Sequence, residues 1–178
     1  VVHQLRNSGL RVRQVDKHAM KPVRRREYLV TEWAKLGRHP DLAGAPRQEV
    51  AWSQLGTDLI GRWNESHRRY HDERHLEDVL LALDHLRVRG QTVSAATLLA
   101  AWFHDATYRG DAEDELNSAR YASESLGGLR LAPGLVQQVS EFVVATTPGI
   151  NADKSDRDLH HLLDADISIF ASSPSRYA

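Results

Sequence analysis

Apolar residues recur at steps of three and four along nearly the whole chain, and this spacing constrains the fold more than any other feature. Tyr28, Leu29, Trp33 and Leu36 make one stripe, broken by "GRHPD". Val50, Leu55, Leu59 and Trp63 make a second behind Pro46, interrupted by "NES" at Asn64. His75, Val79, Leu83 and Leu86 share a third face that starts near Asp72, with Gly90 past its end. A period near 3.6 lines up one helix face, whereas a half-buried strand alternates at period two. Ser94 suits the cap of a fourth helix over 95–106. A fifth is expected over 112–126, closed by Gly127-Gly128, and a sixth from Pro133 to just before Pro148-Gly149. A last one begins near Asp156 and carries Leu159, Leu162, Leu163, Asp166 and Ile169. The stretch "EFVVATT" (141–147) is β-branched enough for a strand in isolation, but Pro133 and the spacing before it favour helix. The expectation is one all-α helical bundle, with no repeat and no long linker.

A chain of 178 residues with 41% hydrophobic content can bury a sizeable single core. Its formal charge of −1 names no partner. There is no cysteine, so a metal site in this chain must use histidine nitrogen and carboxylate oxygen. No apolar run reaches the roughly 18 residues of a membrane span, and the basic start lacks a signal-peptide core. Both features, with the lack of cysteine, fit a cytoplasmic protein without membrane contact. Residues 1–26 carry Arg6, Arg11, Arg13, Lys17, Lys21, Arg24, Arg25 and Arg26 against Asp16 alone. They read as a basic extension set apart from a domain over 27–178, with Met20 as a candidate start. A nucleic-acid arm is the competing reading. It is disfavoured because no aromatic residue interleaves the charges before Tyr28.

Four residues fall on or beside apolar helical faces where solvated charge is out of place: His75, His104, Asp105 and Asp166. His104 and Asp105 close the apolar run of "AAWFHDATYRGD" (100–111). His75 shares a stripe with Val79 and Leu83, and Asp166 lies between "HLLDA" and "ISIF". Buried polar groups cost solvation unless something satisfies them. One such residue reads as a satisfied core group; four on three helices also fit a convergent ligand set, and the pattern alone leaves both readings open. Adjacent helical residues point about 100° apart, so a long His and a short Asp at a helix end can still meet one ion. Neighbouring helices must then supply the remaining ligands, as in helix-bundle metal sites.

The ordered set His75, His104-Asp105, Asp166 resembles the H…HD…D signature of the HD superfamily of metal-dependent phosphohydrolases. "RRYHDERHLEDVL" (68–80), "AAWFHDATY" (100–108), "DELNSA" (114–119) and "HLLDADISIF" (161–170) together resemble its branch of small HD phosphohydrolases. The resemblance runs from about Tyr28 to the end of the sequence. It implies an HD-type helical bundle in which His75, His104, Asp105 and Asp166 hold a divalent ion, one of Mn, Fe, Co, Ni, Zn or Mg. It implies, at superfamily level only, hydrolysis of a phosphate ester of a nucleotide or other small phosphorylated compound. A non-catalytic, metal-stabilised regulatory or binding protein is the alternative.

The chain departs from its relatives in several places. Tyr108 stands where nucleotidase relatives carry a glutamate, and Glu115 matches the branch's glutamate one position after Asp114. Pro148-Gly149 replace a histidine expected after the "AT" of the sixth helix, which removes support for a second ion. Relatives continue past "SRYA" with another helix, so a C-terminal truncation is expected, with exposed apolar surface and self-association as a homo-oligomer.

Other candidates carry two readings each. Glu115 suits proton transfer to a leaving group or a helix-start acid favoured by the dipole. His71, one turn before His75, suits a supporting donor, a phosphate contact, a second-ion ligand or a plain helix-start histidine. Arg69 and Arg74 suit phosphate binding through the guanidinium fork or surface ion pairs. His160 and His161 read as structural, and Trp33, Trp52, Trp63 and Trp102 as core.

Overall fold

The computed structural model describes residues 22–44, 48–150 and 155–168. Among them are seven α-helices and no strand: α1 (Pro22–Leu36), α2 (Glu49–Trp63), α3 (Glu73–Val88), α4 (Ala95–Phe103), α5 (Asp114–Gly128), α6 (Pro133–Ala145) and α7 (Arg157–Ile167). A 3₁₀ turn at Pro40–Leu42 joins the first pair. The chain is all-α, as the periodicity requires, and "EFVVATT" is helical through Ala145. Pro46, residues 1–21 and the segment from Ile169 onward lie outside the described residues, and with them most of the expected extension and the C-terminal end.

The expected domain boundary at 26/27 falls inside α1, which starts at Pro22. Its reason is Arg25, which is 4% exposed and pairs with buried Glu77 of α3. A basic residue counted with the extension is thus part of the α1–α3 packing.

α4 is the central element. All nine of its residues are buried, which suits a helix wrapped on every side. It packs against α1, α3, α5, α6 and α7. Ser94 caps it, accepting from Thr97 N at 3.2 Å, and Asp41 of the 3₁₀ turn accepts from Ala95 N at 2.9 Å. Asp72 caps α3 by accepting from Arg74 N and His75 N, and Asp156 caps α7 by accepting from Asp158 N and Leu159 N. Two of these caps begin the very helices that carry site residues.

α1 and α2 are clasped by Trp33 and Trp52. Their rings stack at 4.4 Å, and each indole N–H donates to the other's carbonyl, at 2.7 Å and 3.1 Å. The approach is so close that a Cβ on Gly56 would lie 2.2 Å from Trp33 Cδ1. Here the expected stripe of α2 needs correction. Val50 is 72% exposed, and the buried face is Gly56, Leu59, Ile60 and Trp63. A glycine counts as neutral in a hydrophobic pattern, so the real seam was invisible to it.

Two helix ends differ from expectation. α5 runs through Gly127-Gly128 and reverses at Arg130, whose φ of 55° is left-handed. Leu131 N donates to Leu126 O at 3.2 Å and Arg130 N to Gly127 O at 2.9 Å, the paired bonds of a Schellman-type end. The glycines precede the position that favours glycine. α4 stops at Phe103 rather than Ala106. A helix through Ala106 would take Ala106 N onto Trp102 O and Thr107 N onto Phe103 O. Instead Ala106 N donates to Phe103 O at 3.0 Å, Thr107 N to Ser118 Oγ at 3.0 Å, and Trp102 O accepts from the Trp63 indole at 3.0 Å. In the turn beyond, Asp114 Oδ2 accepts from Arg109 N at 2.8 Å, from Gly110 N at 2.6 Å and from Asp111 N at 3.1 Å, and the Arg68 guanidinium takes the carbonyls of Asp105 and Ala106, at 2.7 Å and 3.2 Å.

Candidate metal centre

The early stop of α4 puts His104 at its C-cap and Asp105 in the turn beyond, both facing the first turn of α3. His75 comes from that turn and Asp166 from the last turn of α7. α7 packs on both α3 and α4, which brings the three segments to one place. His75 Nε2 lies 3.0 Å from His104 Nε2 and 3.0 Å from Asp166 Oδ1. His104 Nε2 lies 3.6 Å from Asp166 Oδ1 and 3.3 Å from Asp105 Oδ2. Asp105 Oδ2 is 3.8 Å from His75 Nε2. Ligands held about 2.1 Å from one ion lie roughly 3.0–3.4 Å apart at neighbouring vertices of a tetrahedron or octahedron.

The donor atoms form two triads that share His75. One is His75, His104 and Asp166; the other is His71, His75 and Asp105, each mutually within 4.8 Å. His71 lies in the α2–α3 loop and donates or shares a proton with Asp105 Oδ2 at 2.6 Å. The four sequence candidates are therefore together, and His71 joins them as a fifth group close enough to ligate. Sequence pattern had placed it one turn from His75 without saying which way it faced.

Tautomers follow from the neighbours. His104 Nδ1 lies 2.9 Å from Ala101 O, a carbonyl that can only accept, so Nδ1 carries the proton. The Nε2 lone pair of neutral His104 then faces His75 Nε2. Two ring nitrogens at this distance need a proton or a cation between them. Trp63 forms the floor, with ring centroids 5.3 Å from His104 and 6.0 Å from His75, and its indole N–H donates to Trp102 O.

The charges are strongly coupled. Burial works against charge on His104, yet the carboxylates of Asp105 and Asp166 overrule it and hold its pKa well above the ordinary value. Burial would raise Asp105, but His104 and His71 hold it well below the carboxylate range. Asp166 is likewise lowered against its burial by hydrogen bonds from His104 and His75. The Asp105 hydrogen bond raises His71, against burial. A cluster that attracts a proton this firmly presents the charge and donors that a divalent cation also seeks.

No protein-family model matches the chain, and no curated protein or solved structure matches it either.

Among the described residues no hydrogen bond or ion pair links Arg69, Arg74 or Glu115 to the cluster. Arg69 and Arg74 are exposed, on the loop and first turn that carry His71 and His75. Glu115 sits half-buried in the first turn of α5. Its neighbour Asp114 does the structural work there. Tyr108 packs its ring on His71, with centroids 4.7 Å apart. Sequence reasoning missed Arg68 and Asp114. Arg68 was one of several basic residues in "SHRRYHDER", and only the three-dimensional environment separates it from Arg69.

Proposed function

We propose that the chain is a metal-dependent phosphohydrolase of the HD type, acting on a nucleotide or another small phosphorylated compound. The observation that carries this reading is the convergence of His75, His104, Asp105 and Asp166 from three helix termini onto one another. The nitrogen–oxygen donor set and the absence of thiolates suit Mn, Fe, Co, Ni, Zn or Mg. When bound there, a divalent ion supplies Lewis-acid charge to a phosphoryl group and makes water more acidic.

The chain's own groups divide the remaining work. His104 offers Nε2, with Ala101 O fixing its tautomer. Asp105 balances cation charge and orients His71. The His71 Nδ1 side is committed to Asp105, so proton exchange with a substrate or water takes place at Nε2. Its side chain is 39% exposed, and that of Asp166 is 24% exposed, against 4% and 2% for His75 and His104. The centre is thus reached by solvent at His71 and Asp166, which suits access by a substrate better than a sealed structural staple. Arg69 and Arg74 flank His71 and His75 in sequence, are exposed, and offer guanidinium forks for phosphate. Glu115 is the weaker candidate for proton transfer, because nothing ties it to the cluster.

The test is a screen of phosphorylated metabolites with the purified chain, supplemented in turn with each divalent cation. Phosphate release that needs a cation, and that His104→Ala abolishes, is the expected result. Cation binding at the cluster with no release from any compound would leave the metal-stabilised binding protein in its place.

A further inference from the structure

Arg68 is a permanent cation whose side chain is 0% exposed, beside a centre built to attract cations. Its nearest electrostatic effect on a bound cation is repulsive, so its burial there needs another reason. Its hydrogen bonds supply one. Nη1 donates to Asp105 O at 2.7 Å and to His71 O at 3.0 Å, and Nη2 donates to Ala106 O at 3.2 Å. Nε donates to Glu65 Oε2 at 3.1 Å, which offsets part of the charge. The guanidinium carbon lies 5.5 Å from the ring centroids of both Trp63 and Tyr108. Trp63 is the floor under the two histidines, and Tyr108 packs on His71.

These contacts satisfy the backbone of the turn that follows α4. Arg68 takes the carbonyls of Asp105 and Ala106, and Asp114 takes the amides of Arg109 and Gly110. Arg68 and Asp114 thus hold the turn in which Asp105 leaves the helix. Arg68 also ties that turn to the backbone of His71. Resting on the metal-centre reading, we infer that Arg68 is a positioning residue, which with Asp114 locks Asp105 and His71 into ligating geometry and sets the cation affinity of the site.

Charge and position predict opposite outcomes. If Arg68 acted through its charge, removing it would tighten cation binding. As a positioning residue, its removal weakens binding. The experiment titrates Mn²⁺ into the full chain and its Arg68→Met, Arg68→Lys and Asp114→Ala variants. Leu126→Ala, in the α5 core, serves as a control for loss of stability. Hydrogen exchange of the cation-free proteins is measured alongside. Arg68→Met and Asp114→Ala should each weaken Mn²⁺ binding by about 10- to 100-fold, as loss of supporting partners does elsewhere, although they remove opposite charges. Arg68→Lys should recover part of the loss, and Leu126→Ala should leave affinity unchanged. In cation-free Arg68→Met, exchange should quicken together in 65–72 and 104–111.

Unchanged or tighter binding in Arg68→Met, or a loss no larger than in Leu126→Ala, overturns the inference. So does quickened exchange confined to 65–72. If the unaltered chain binds no cation, the metal-centre reading fails by itself, and the exchange measurement still decides whether Arg68 holds Asp105 and His71.

Discussion

His104 shows how one backbone carbonyl can set a site's chemistry. Ala101 O fixes a proton on Nδ1, so a second proton or a cation must sit at Nε2, 3.0 Å from His75 Nε2 and 3.3 Å from Asp105 Oδ2. Asp105 reaches His71, His75 and His104 through one oxygen and is the group that ties His71 to the other ligands. Asp105→Ala should therefore weaken cation binding by more than the roughly 10- to 100-fold that loss of a supporting partner costs. Its fold should persist, since Leu76, Val79, Leu99, Trp102 and Val139 stay buried without it; calorimetric titration and circular dichroism check both halves. Glycines of α2 give a second pair of outcomes. Gly56→Ala would press a methyl into Trp33, whose ring is held by stacking and a hydrogen bond. Overpacking of about 1–3 kcal/mol outweighs a helix-propensity gain of about 1 kcal/mol. Gly61→Ala meets nothing within 4 Å and keeps only the gain. Urea melts should move in opposite directions for the two. The ligand residues themselves were legible as polar side chains on apolar faces. Arg68 and Asp114 were not, because what distinguishes them is the backbone they satisfy.

At the level of the elements, capping decides where the site residues stand. Ser94, Asp72 and Asp156 start their helices as the sequence suggests, because a short side-chain oxygen ahead of an apolar stripe has one main use there. Helix ends were harder to read. Gly127-Gly128 look like a stop, yet the left-handed position falls on Arg130. Left-handed backbone costs a non-glycine residue about 1–2 kcal/mol, part of which glycine returns as lost entropy. Arg130→Gly should thus raise stability by about 0.5–1 kcal/mol, seen as a higher denaturation midpoint with an unchanged slope. The end of α4 was illegible for a different reason. Its apolar run continues to Ala106, but the distant Trp63 indole takes Trp102 O and Ser118 Oγ takes Thr107 N, two of the groups that would have carried the helix on. Tertiary partners overrode local pattern at the one place where the ligand pair had to turn.

For the whole molecule, a central buried helix and two flanking helices hold four ionisable groups where water is scarce. All-α architecture followed directly from the period of the apolar residues, and among the described residues no helix is long and apolar enough to cross a membrane. The cluster also makes stability depend on pH in a defined direction. His104 has a raised folded pKa, so its contribution is fully present below its unfolded value, about 6.5, and fades as pH rises through the folded value. Asp105 and Asp166 have lowered folded values, so theirs is present above about 3.9 and fades only in strong acid. A cation competes with the His104 proton, so its advantage grows as that proton is lost. The gain in melting temperature on adding Mn²⁺ should widen from about pH 5.5 to about pH 8.5; a gain that is flat or shrinks would mean that the cation binds elsewhere. The most direct test is anomalous diffraction at the manganese edge from crystals grown with Mn²⁺. The expected result is an ion about 2.0–2.4 Å from the ligand atoms of His75, His104, Asp105 and Asp166. Saturating Mn²⁺ with no anomalous peak among these four residues would contradict the account.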